Sequence, residues 1–295
     1  MARQWGMPYK GSKNRIAEKI IDFLPGGERL YDLFGGGGAI THCALMSGKW
    51  KHVVYNEPDP VVYKGFCMAI HGEFKNETRW ISREDFNRLK DTDPYVAICF
   101  SFGNDLRTYC YSKENENLKR ILHKAIVFHD FEELEGIVGE MDHSLRGRLE
   151  ITAEVKKRIQ KQRLEVQHLE TAVRLQNEAL ERLQSLERLQ SLESLQSLDY
   201  QQVTLAQNSI IYCDIPYKGT NNYRIQFDYA RFYKWAEQQD NIFISEYAMP
   251  DNFIEVWSCQ RQASMDAKGK NSKAQERIFT NERTYEKLKQ DRWFL

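Results

Sequence analysis

Short apolar runs recur along the chain, each ending at a turn or an acidic residue, and they predict strands of a buried sheet. The strand candidates are "RLYDLF" (29–34), "HVVYNE" (52–57), "SIIYCD" (209–214) and "NIFISEY" (241–247). Helical patterns separate them, in "RIAEKIIDFL" (15–24), "AITHCALMSG" (39–48) and "YARFYKWAEQQ" (229–239). Buried strands that alternate with helices are typical of a doubly wound α/β sheet, which is the fold class we expect.

The middle of the chain has a different pattern. From about 151 to 198 it is rich in Glu, Lys, Arg, Gln and Leu, without Gly or Pro, and its apolar spacing predicts a long helix over about 151–197. This helix packs within its own domain or on a short antiparallel partner, or it forms an intermolecular coiled coil and hence a homodimer. The hexamer ERLQSL (181–186) is repeated at 187–192 and, as ESLQSL, at 193–198. Leucine at every third position drifts around a helix, so we interpret the repeat as a lengthened helix or a connector.

Composition narrows the function classes. A hydrophobic fraction of 41% is enough for a sizeable core, and 42 basic residues balance 42 acidic ones, so any DNA contact must come from local patches. The six cysteines are scattered without a CxxC pair, which argues against a zinc site or a disulfide framework and fits a reducing cytoplasm. No apolar run approaches the roughly 20 residues of a membrane span, and the first residues lack the pattern of a signal peptide. We therefore expect a cytoplasmic protein without metal or membrane.

Four glycines (35–38) stand between the first predicted strand and a helix. Glycine lets the backbone approach a ligand closely, so this turn is a candidate binding element. The dinucleotide pattern G-x-G-x-x-G is not met, because Ile40 or Thr41 stands where the last glycine belongs. No Gly-Lys-Ser/Thr follows, which excludes a P-loop.

Two acids flank the glycine turn in the predicted sheet. Asp32 ends the strand before it, where a carboxylate would repel a phosphate but suits an ammonium group. Glu57 ends the next strand, where an acid can accept hydrogen bonds from ribose hydroxyls. A ligand with an ammonium group and a ribose but no phosphate is S-adenosylmethionine, which is the cofactor we expect.

The strand "SIIYCD" leads directly into "DIPY" (214–217). Methylation of an exocyclic amine requires acceptors for its N–H groups, which stabilise the positive charge that develops on nitrogen. Asp214 can accept through its side chain and Ile215 through its carbonyl, whose direction Pro216 stiffens. Tyr217 can stack on a base that has left the duplex, by base flipping.

Taken together, these motifs resemble the Dam-like DNA adenine-N6 methyltransferases. The matching stretches are "PYKGSK" (8–13), "DLFGGGG" (32–38), "NEPD" (56–59), "LDYQQV" (198–203), "YCDIPY" (212–217) and "FISEY" (243–247). The resemblance implies a Rossmann-like fold and a site-specific enzyme that transfers a methyl group from S-adenosylmethionine to adenine in double-stranded DNA. It also implies a bacterial or phage-encoded protein, as found in restriction–modification.

The resemblance assigns roles to individual residues. The catalytic set is Asp214, Ile215, Pro216 and Tyr217, in which Ile215 replaces a proline of the family's D-P-P-Y. The cofactor set is Tyr9, Lys13, Asp32, Phe34, Gly36, Gly38, Glu57, Asp199 and Tyr200, the last two as an adenine-pocket pair.

The family also implies the domain organisation. Residues 1–66 and 198–295 would form the catalytic domain, and 67–197 an inserted, mainly helical target-recognition domain. Candidate DNA contacts in the insertion are Asn104, Arg107, Tyr109 and Lys113. Basic stretches at 156–163 and 268–277 are further candidates for phosphate contacts.

Two other function classes compete with this hypothesis. Glutamine methyltransferases of proteins use a similar acid-Pro-Pro-Tyr turn, but they need no large insertion between the cofactor and catalytic strands. A non-catalytic helical interaction module derived from a methyltransferase would not need Asp214 and Tyr217.

Overall fold

The computed structural model describes residues 4–145, 147–162, 183, 184, 186, 194–219, 224, 226–262 and 273–291. Its strands are β1 (Gly27–Asp32), β2 (Trp50–Asn56), β3 (Ser194–Gln196), β4 (Ile210–Asp214), β5 (Ile242–Ser245), β6 (Phe253–Gln262) and β7 (Lys273–Asn281). Its α-helices are α1 (Ala17–Phe23), α2 (Ala39–Ser47), α3 (Pro60–Ile70), α4 (Arg83–Leu89), α5 (Pro94–Cys99), α6 (Lys113–Phe128), α7 (Glu132–Val138), α8 (Arg148–Gln162), α9 (Tyr229–Ala236) and α10 (Glu282–Gln290).

The seven strands form one mixed sheet in the order β3-β2-β1-β4-β5-β7-β6. The five strands β3, β2, β1, β4 and β5 run parallel to one another. β7 runs antiparallel to both β5 and β6. The predicted α/β fold class is confirmed, and the sheet is compatible with a Rossmann-like fold. From β1 the chain proceeds to β2 on one side and later to β4 on the other, so the strand order reverses between β1 and β4. Ligands of such sheets bind at this switch point, beyond the carboxyl ends of the strands.

The central strands are apolar because they are buried on both faces. Tyr212 and Cys213 of β4 have no exposed surface, and all four residues of β5 are buried. Strands of this kind have no solvent face, which explains why the sequence shows continuous apolar runs rather than alternation. The acids that end β1 and β4 are therefore placed at the edge of a rigid, close-packed sheet.

Contacts divide the chain into two compact units. One contains Met1–Gly72 and Ser185–Leu295, and the other contains Glu73–Gln184. The first unit holds the whole sheet. One cluster of its core contains Tyr31, Leu33, Phe34, Val54, Tyr200, Val203, Ile211, Cys213, Ile215, Phe232, Ala236, Ile242, Ile244, Phe253 and Phe279.

The second unit is built from helices α4 to α8 in the residues that the structure describes. Its core includes Ile121 and Leu122 of α6, Leu134 of α7, and Ile151 and Val155 of α8, all buried. The amphipathic pattern of residues 151–162 thus serves packing within this unit. Its role as a target-recognition domain stays a prediction.

The predicted long helix needs one correction. Helix is present from Arg148 to Gln162, but Ser194–Gln196 form the strand β3, which pairs in parallel with Val54–Asn56 of β2. A helix over 194–196 is therefore wrong, because the end of the third hexamer supplies an edge strand to the sheet. The described residues do not include 163–182. They therefore omit most of the repeat and most of the predicted dimer seam.

The antiparallel end of the sheet was not predicted. β6 and β7 carry polar residues between apolar ones, as expected for strands near an edge, and residues 273–277 of the basic stretch 268–277 belong to β7. Residues 268–272 lie outside the described part. None of the described helices is long and apolar enough to cross a membrane, and the described residues contain no group of His, Cys, Asp or Glu suited to hold a metal.

Candidate active site

A cavity lies at the switch point between β1 and β4. Its lining comes from the N-terminal segment, the glycine turn, the end of β2 and the turn after β4. The lining residues are Tyr9, Lys10, Gly11, Ser12, Lys13, Asp32, Phe34, Gly35, Gly36, Gly37, Ala39, Ile40, Glu57, Pro58, Asp59, Asp214, Pro216, Arg224 and Phe227. Sequence elements far apart in the chain therefore meet where this sheet topology is expected to bind a ligand.

Close packing on both sides of the glycine turn leaves no room for side chains at Gly36 and Gly38. At Gly36, where φ is +49°, a Cβ would stand 2.9 Å from the ring of Tyr9. At Gly38, where φ is +71°, a Cβ would overlap the ring of Phe66. Gly36 faces the cavity, whereas Gly38 contributes close packing and does not line it. A side chain at Gly36 would thus fill the space beside Tyr9.

Asp32 carries a buried carboxyl group, and the residues that the structure describes give hydrogen-bond partners to only one of its two oxygens. It is 1% exposed, and its Oδ2 accepts hydrogen bonds from the backbone N–H of Thr41 at 3.2 Å and the hydroxyl of Thr41 at 2.7 Å. Its Oδ1 has no hydrogen-bond partner among the described residues. Burial raises the pKa of Asp32 to about 7. Such a carboxyl favours a ligand that brings a positive charge or an N–H donor to Oδ1.

Glu57 holds the glycine turn from the end of β2. Its Oε2 accepts the backbone N–H of Gly36 at 2.7 Å, and its Oε1 accepts that of Asp59 at 2.8 Å. Burial raises the pKa of Glu57 to about 8. Glu57 lines the cavity, as the predicted ribose acceptor must, and it also ties β2 to the turn.

The N-terminal segment covers the cavity from the other side. Tyr9 lies against Gly36 and lines the cavity, and its place near a cofactor stays a prediction. Lys13 lines the cavity too, but its Nζ donates to Oδ1 of Asp214 at 2.5 Å. Lys13 is only 5% exposed, so this is a largely desolvated ion pair. The structure thus places Lys13 on the candidate catalytic acid.

The turn after β4 is anchored at each of its residues. Asp214 is 20% exposed and faces the cavity, whereas Ile215 is buried in the core. The carbonyl of Pro216 accepts a hydrogen bond of 2.9 Å from the hydroxyl of Tyr229 on α9. The backbone N–H of Lys218 donates to Glu246 at 3.0 Å. Core burial of Ile215 and these two hydrogen bonds fix the turn, although it lacks a proline at 215.

Tyr217 occupies a different environment from the predicted open stacking surface. It is 5% exposed, its hydroxyl donates to Glu276, and its ring meets the edge of Tyr247 at 4.5 Å between centroids. The Nζ of Lys13 lies 4.6 Å from its ring centroid. Stacking of a base on Tyr217 would therefore require local movement, whereas the neighbouring Tyr247 is 38% exposed.

The predicted adenine-pocket pair does not line the cavity. Asp199 forms an ion pair of 2.9 Å with Arg231. Tyr200 is buried, and its ring packs against Phe34 at 5.6 Å between centroids. Since Phe34 does line the cavity, Tyr200 supports the site through the core behind it.

The sequence reasoning missed Asp59 and Arg224 in the cavity lining. It also missed Glu276, which lies behind the lining in contact with Lys13. Asp59 caps α3 through the backbone N–H of Val61 and also pairs with Nε of Arg224 at 3.0 Å. Asp59 is the last residue of the motif "NEPD" (56–59). That motif therefore pointed to this part of the chain, but a role was predicted only for Glu57. Glu276, on a strand that was not predicted, had no motif to mark it.

The predicted DNA contacts lie in the second unit, and the structure separates them into two groups. Arg107 and Lys113 are exposed. Tyr109 is buried at 7%, its hydroxyl donates to the carbonyl of Ile81, and the guanidinium of Arg83 covers its ring. Tyr109 is therefore a core residue of this unit, because its polar group and its ring are both engaged inside.

Asn104, the fourth of these candidates, is partly exposed in a tight loop. It has a φ of +55°, and its side chain donates to the carbonyl of Ile98 at 2.9 Å. Its amide therefore stabilises the loop locally. Asn104, Arg107 and Lys113 remain candidates for DNA contact.

No protein-family model matches the chain, and no curated protein matches it. What supports a function is therefore the sheet topology, the cavity and the residues that line it.

Proposed function

We propose that the chain is an S-adenosylmethionine-dependent DNA methyltransferase that acts on the exocyclic amine of a flipped adenine. The observation that carries the proposal is the meeting of Asp32 and Asp214 in one cavity at the switch point. Their strands are direct neighbours, with Asp32 paired to Tyr212 in the register of β1 and β4. One carboxyl can receive a cationic cofactor and the other a substrate amine.

The residues fit the cofactor by the chemistry of their donors and acceptors. The spare Oδ1 of Asp32 suits an ammonium group, and Glu57 stands at the end of the next strand for hydroxyl groups. Gly36 lines the cavity and lets the ring of Tyr9 approach the backbone of the turn, because a Cβ there would stand 2.9 Å from that ring. Lys13 and Arg224, two of the three cations among the described residues that line the cavity, are each bound to a carboxylate. The buried acids Asp32 and Glu57 disfavour a phosphate. S-adenosylmethionine has the required ammonium group and ribose and carries no phosphate.

When bound, S-adenosylmethionine supplies a methyl group attached to a positively charged sulfur. The part of this chain is to receive and orient the amine. Asp214 would accept one N–H through its carboxylate and Ile215 the other through its carbonyl, which would free the nitrogen lone pair for methyl transfer. The proton that the amine loses would pass to the carboxylate of Asp214. Preorganised acceptors at a developing positive charge lower the barrier without reorganisation during the reaction.

DNA is the proposed substrate because the second unit offers exposed basic side chains. Arg107 and Lys113 are exposed, and α8 carries the basic stretch that begins at 156. Cations on a neutral chain can supply the local patch that phosphate binding needs. A protein amide as methyl acceptor would not need these residues.

The test is transfer of tritium from labelled cofactor to DNA, to protein, or to neither, for the parent chain and Asp214→Ala. We expect label in DNA adenine with the parent chain. Loss of one preorganised acceptor should lower the rate on the order of 10²–10³-fold in the variant. Cofactor affinity, measured by calorimetry, should persist in Asp214→Ala. Label in protein, or in neither, would contradict the proposal.

A further inference from the structure

Glu276 is a fully buried carboxylate on β7 that lies beside the candidate catalytic turn. It has no exposed surface. The hydroxyl of Tyr217 donates to its Oε1, and the Nζ of Lys13 lies 3.6 Å from the same oxygen. Lys13 in turn donates to Asp214 at 2.5 Å. Two links therefore connect Glu276 to Asp214. One is its hydrogen bond with Tyr217, which lies three residues after Asp214 in the same turn, and the other is Lys13, which lies near both carboxylates.

The strand register explains how a residue of β7 reaches this turn. Ser245, the last residue of β5, pairs with both Asp214 of β4 and Ile278 of β7. Glu276 lies two residues before Ile278, on the same face of the strand, and β7 runs antiparallel to β5. This places Glu276 beyond the end of β5, next to the carboxyl end of β4.

Packing alone does not account for a carboxylate at this position. Removing a charge from water is costly, and an apolar residue of similar size usually serves a core at least as well. The backbone of β7 already pairs with β5 and β6, so strand formation does not need the side chain. Two groups that use it are the Tyr217 hydroxyl and the Lys13 ammonium, and Lys13 is also bound to Asp214. Burial also raises the pKa of the Tyr217 hydroxyl well above its ordinary value, so Tyr217 stays a donor.

We infer that Glu276 is a positioning residue for the proposed methyl transfer, on which this inference rests, and that it acts through Tyr217 and Lys13. Its bond to Tyr217 fixes the far end of the turn. Its attraction for Lys13 holds that ammonium between two carboxylates, so that Asp214 keeps one orientation towards the cavity. The amine thus meets an acceptor that is already in place.

The experiment is a double-mutant cycle with Glu276→Gln and Tyr217→Phe. Tyr217→Phe should lower kcat for DNA methylation about tenfold, since it removes one hydrogen bond to a charged group, and Glu276→Gln should lower it at least as much, since it also removes the charge that attracts Lys13. The combined variant should lose clearly less than the product of the two single losses, because the bond between Tyr217 and Glu276 is common to both changes. The dissociation constant of S-adenosylmethionine should stay at the parental value in all three. Glu255→Gln, on the neighbouring strand β6 and 38% exposed, is the matched control and should keep the parental kcat.

The outcomes separate this inference from the proposed function. If the parent chain methylates DNA while Glu276→Gln keeps its kcat, the positioning role is wrong. The positioning role would also be wrong if the two single losses in kcat multiply in the combined variant, or if cofactor affinity falls together with kcat. A parent chain that methylates nothing would overturn the proposed function itself, and the inference with it. If Glu276→Gln does not fold, Tyr217→Phe takes its place, because it removes the same hydrogen bond by changing the donor. An unchanged kcat in Tyr217→Phe would then refute the inference.

Discussion

Replacing Asp32 by Asn should stabilise the ligand-free chain at alkaline pH while it removes the proposed binding site for an ammonium group. Burial raises the pKa of Asp32 from 3.8 to about 7. The folded state therefore binds the proton more tightly than the unfolded state does. Stability is lost as the pH rises from about 4 to about 7, because the folded protein must then hold an unpaired buried charge.

The magnitude follows from the two pKa values. Between pH 5 and pH 8 the ionisation of Asp32 should lower the free energy of unfolding by about 2–3 kcal/mol. Asn cannot ionise, so Asp32→Asn should lack this part of the pH dependence. Its amide oxygen can still accept both hydrogen bonds from Thr41. Glu57, whose pKa is also raised by burial, is present in both proteins. The charge of Asp32 is a smaller cause of that shift than burial or the charge of Asp59, so most of the contribution of Glu57 cancels in the comparison.

The assay is urea unfolding, followed by circular dichroism, of parent and variant at pH 5 and pH 8 without cofactor. Asp240→Asn is the matched control, because Asp240 is 66% exposed and its surface ion pair with Arg283 contributes little. We expect the parent and the control to lose stability between the two pH values by about 2–3 kcal/mol more than Asp32→Asn. Equal pH dependence in parent and Asp32→Asn would refute the reasoning.

Three further predictions concern the cavity. The affinity for S-adenosylmethionine, measured by calorimetry, should fall as the pH drops below about 7, since the carboxyl of Asp32 is then protonated; a flat profile would argue against its role. Gly36→Ala should abolish cofactor binding by its contact with Tyr9, whereas Gly48→Ala, also at positive φ but with open space around it, should bind normally; equal affinities would contradict this. Tyr229→Phe should lower kcat several-fold without changing cofactor affinity, because its hydroxyl holds the carbonyl of Pro216. An unchanged kcat would show that this hydrogen bond is dispensable.

The sequence predicted the elements that build the cavity because their signals are local. The apolar strands β1, β2, β4 and β5 end at acids or glycines, and these ends carry Asp32, Glu57 and Asp214. Parallel strands bring such ends to one edge of the sheet, so the sequence alone predicts that these acids lie close together. Tyr9 was predicted to lie near the cofactor from a family resemblance rather than from periodicity, and the structure places it beside the glycine turn.

What the sequence missed depends on contacts between distant residues. Glu276 lies on a strand whose polar positions hide it, and its partner Lys13 is more than 260 residues away in the chain. Tyr109 was predicted to contact DNA from its residue type, but packing placed it in the core of the second unit. The end of the hexamer repeat has the composition of a helix, and its pairing with β2 overrides that propensity.

The discontinuity of the first unit has a consequence for the order of folding. β1 and β4 pair directly, although Ile210 lies 178 residues after Asp32, and 112 of these belong to the second unit. Closing a flexible loop of that length carries an entropic cost that depends on the logarithm of its length. If the second unit folds first, the effective loop shortens and the cost falls by about 0.9 kcal/mol. During synthesis the helical unit emerges before β4, so the ribosome releases the chain in the order that favours closure of the sheet.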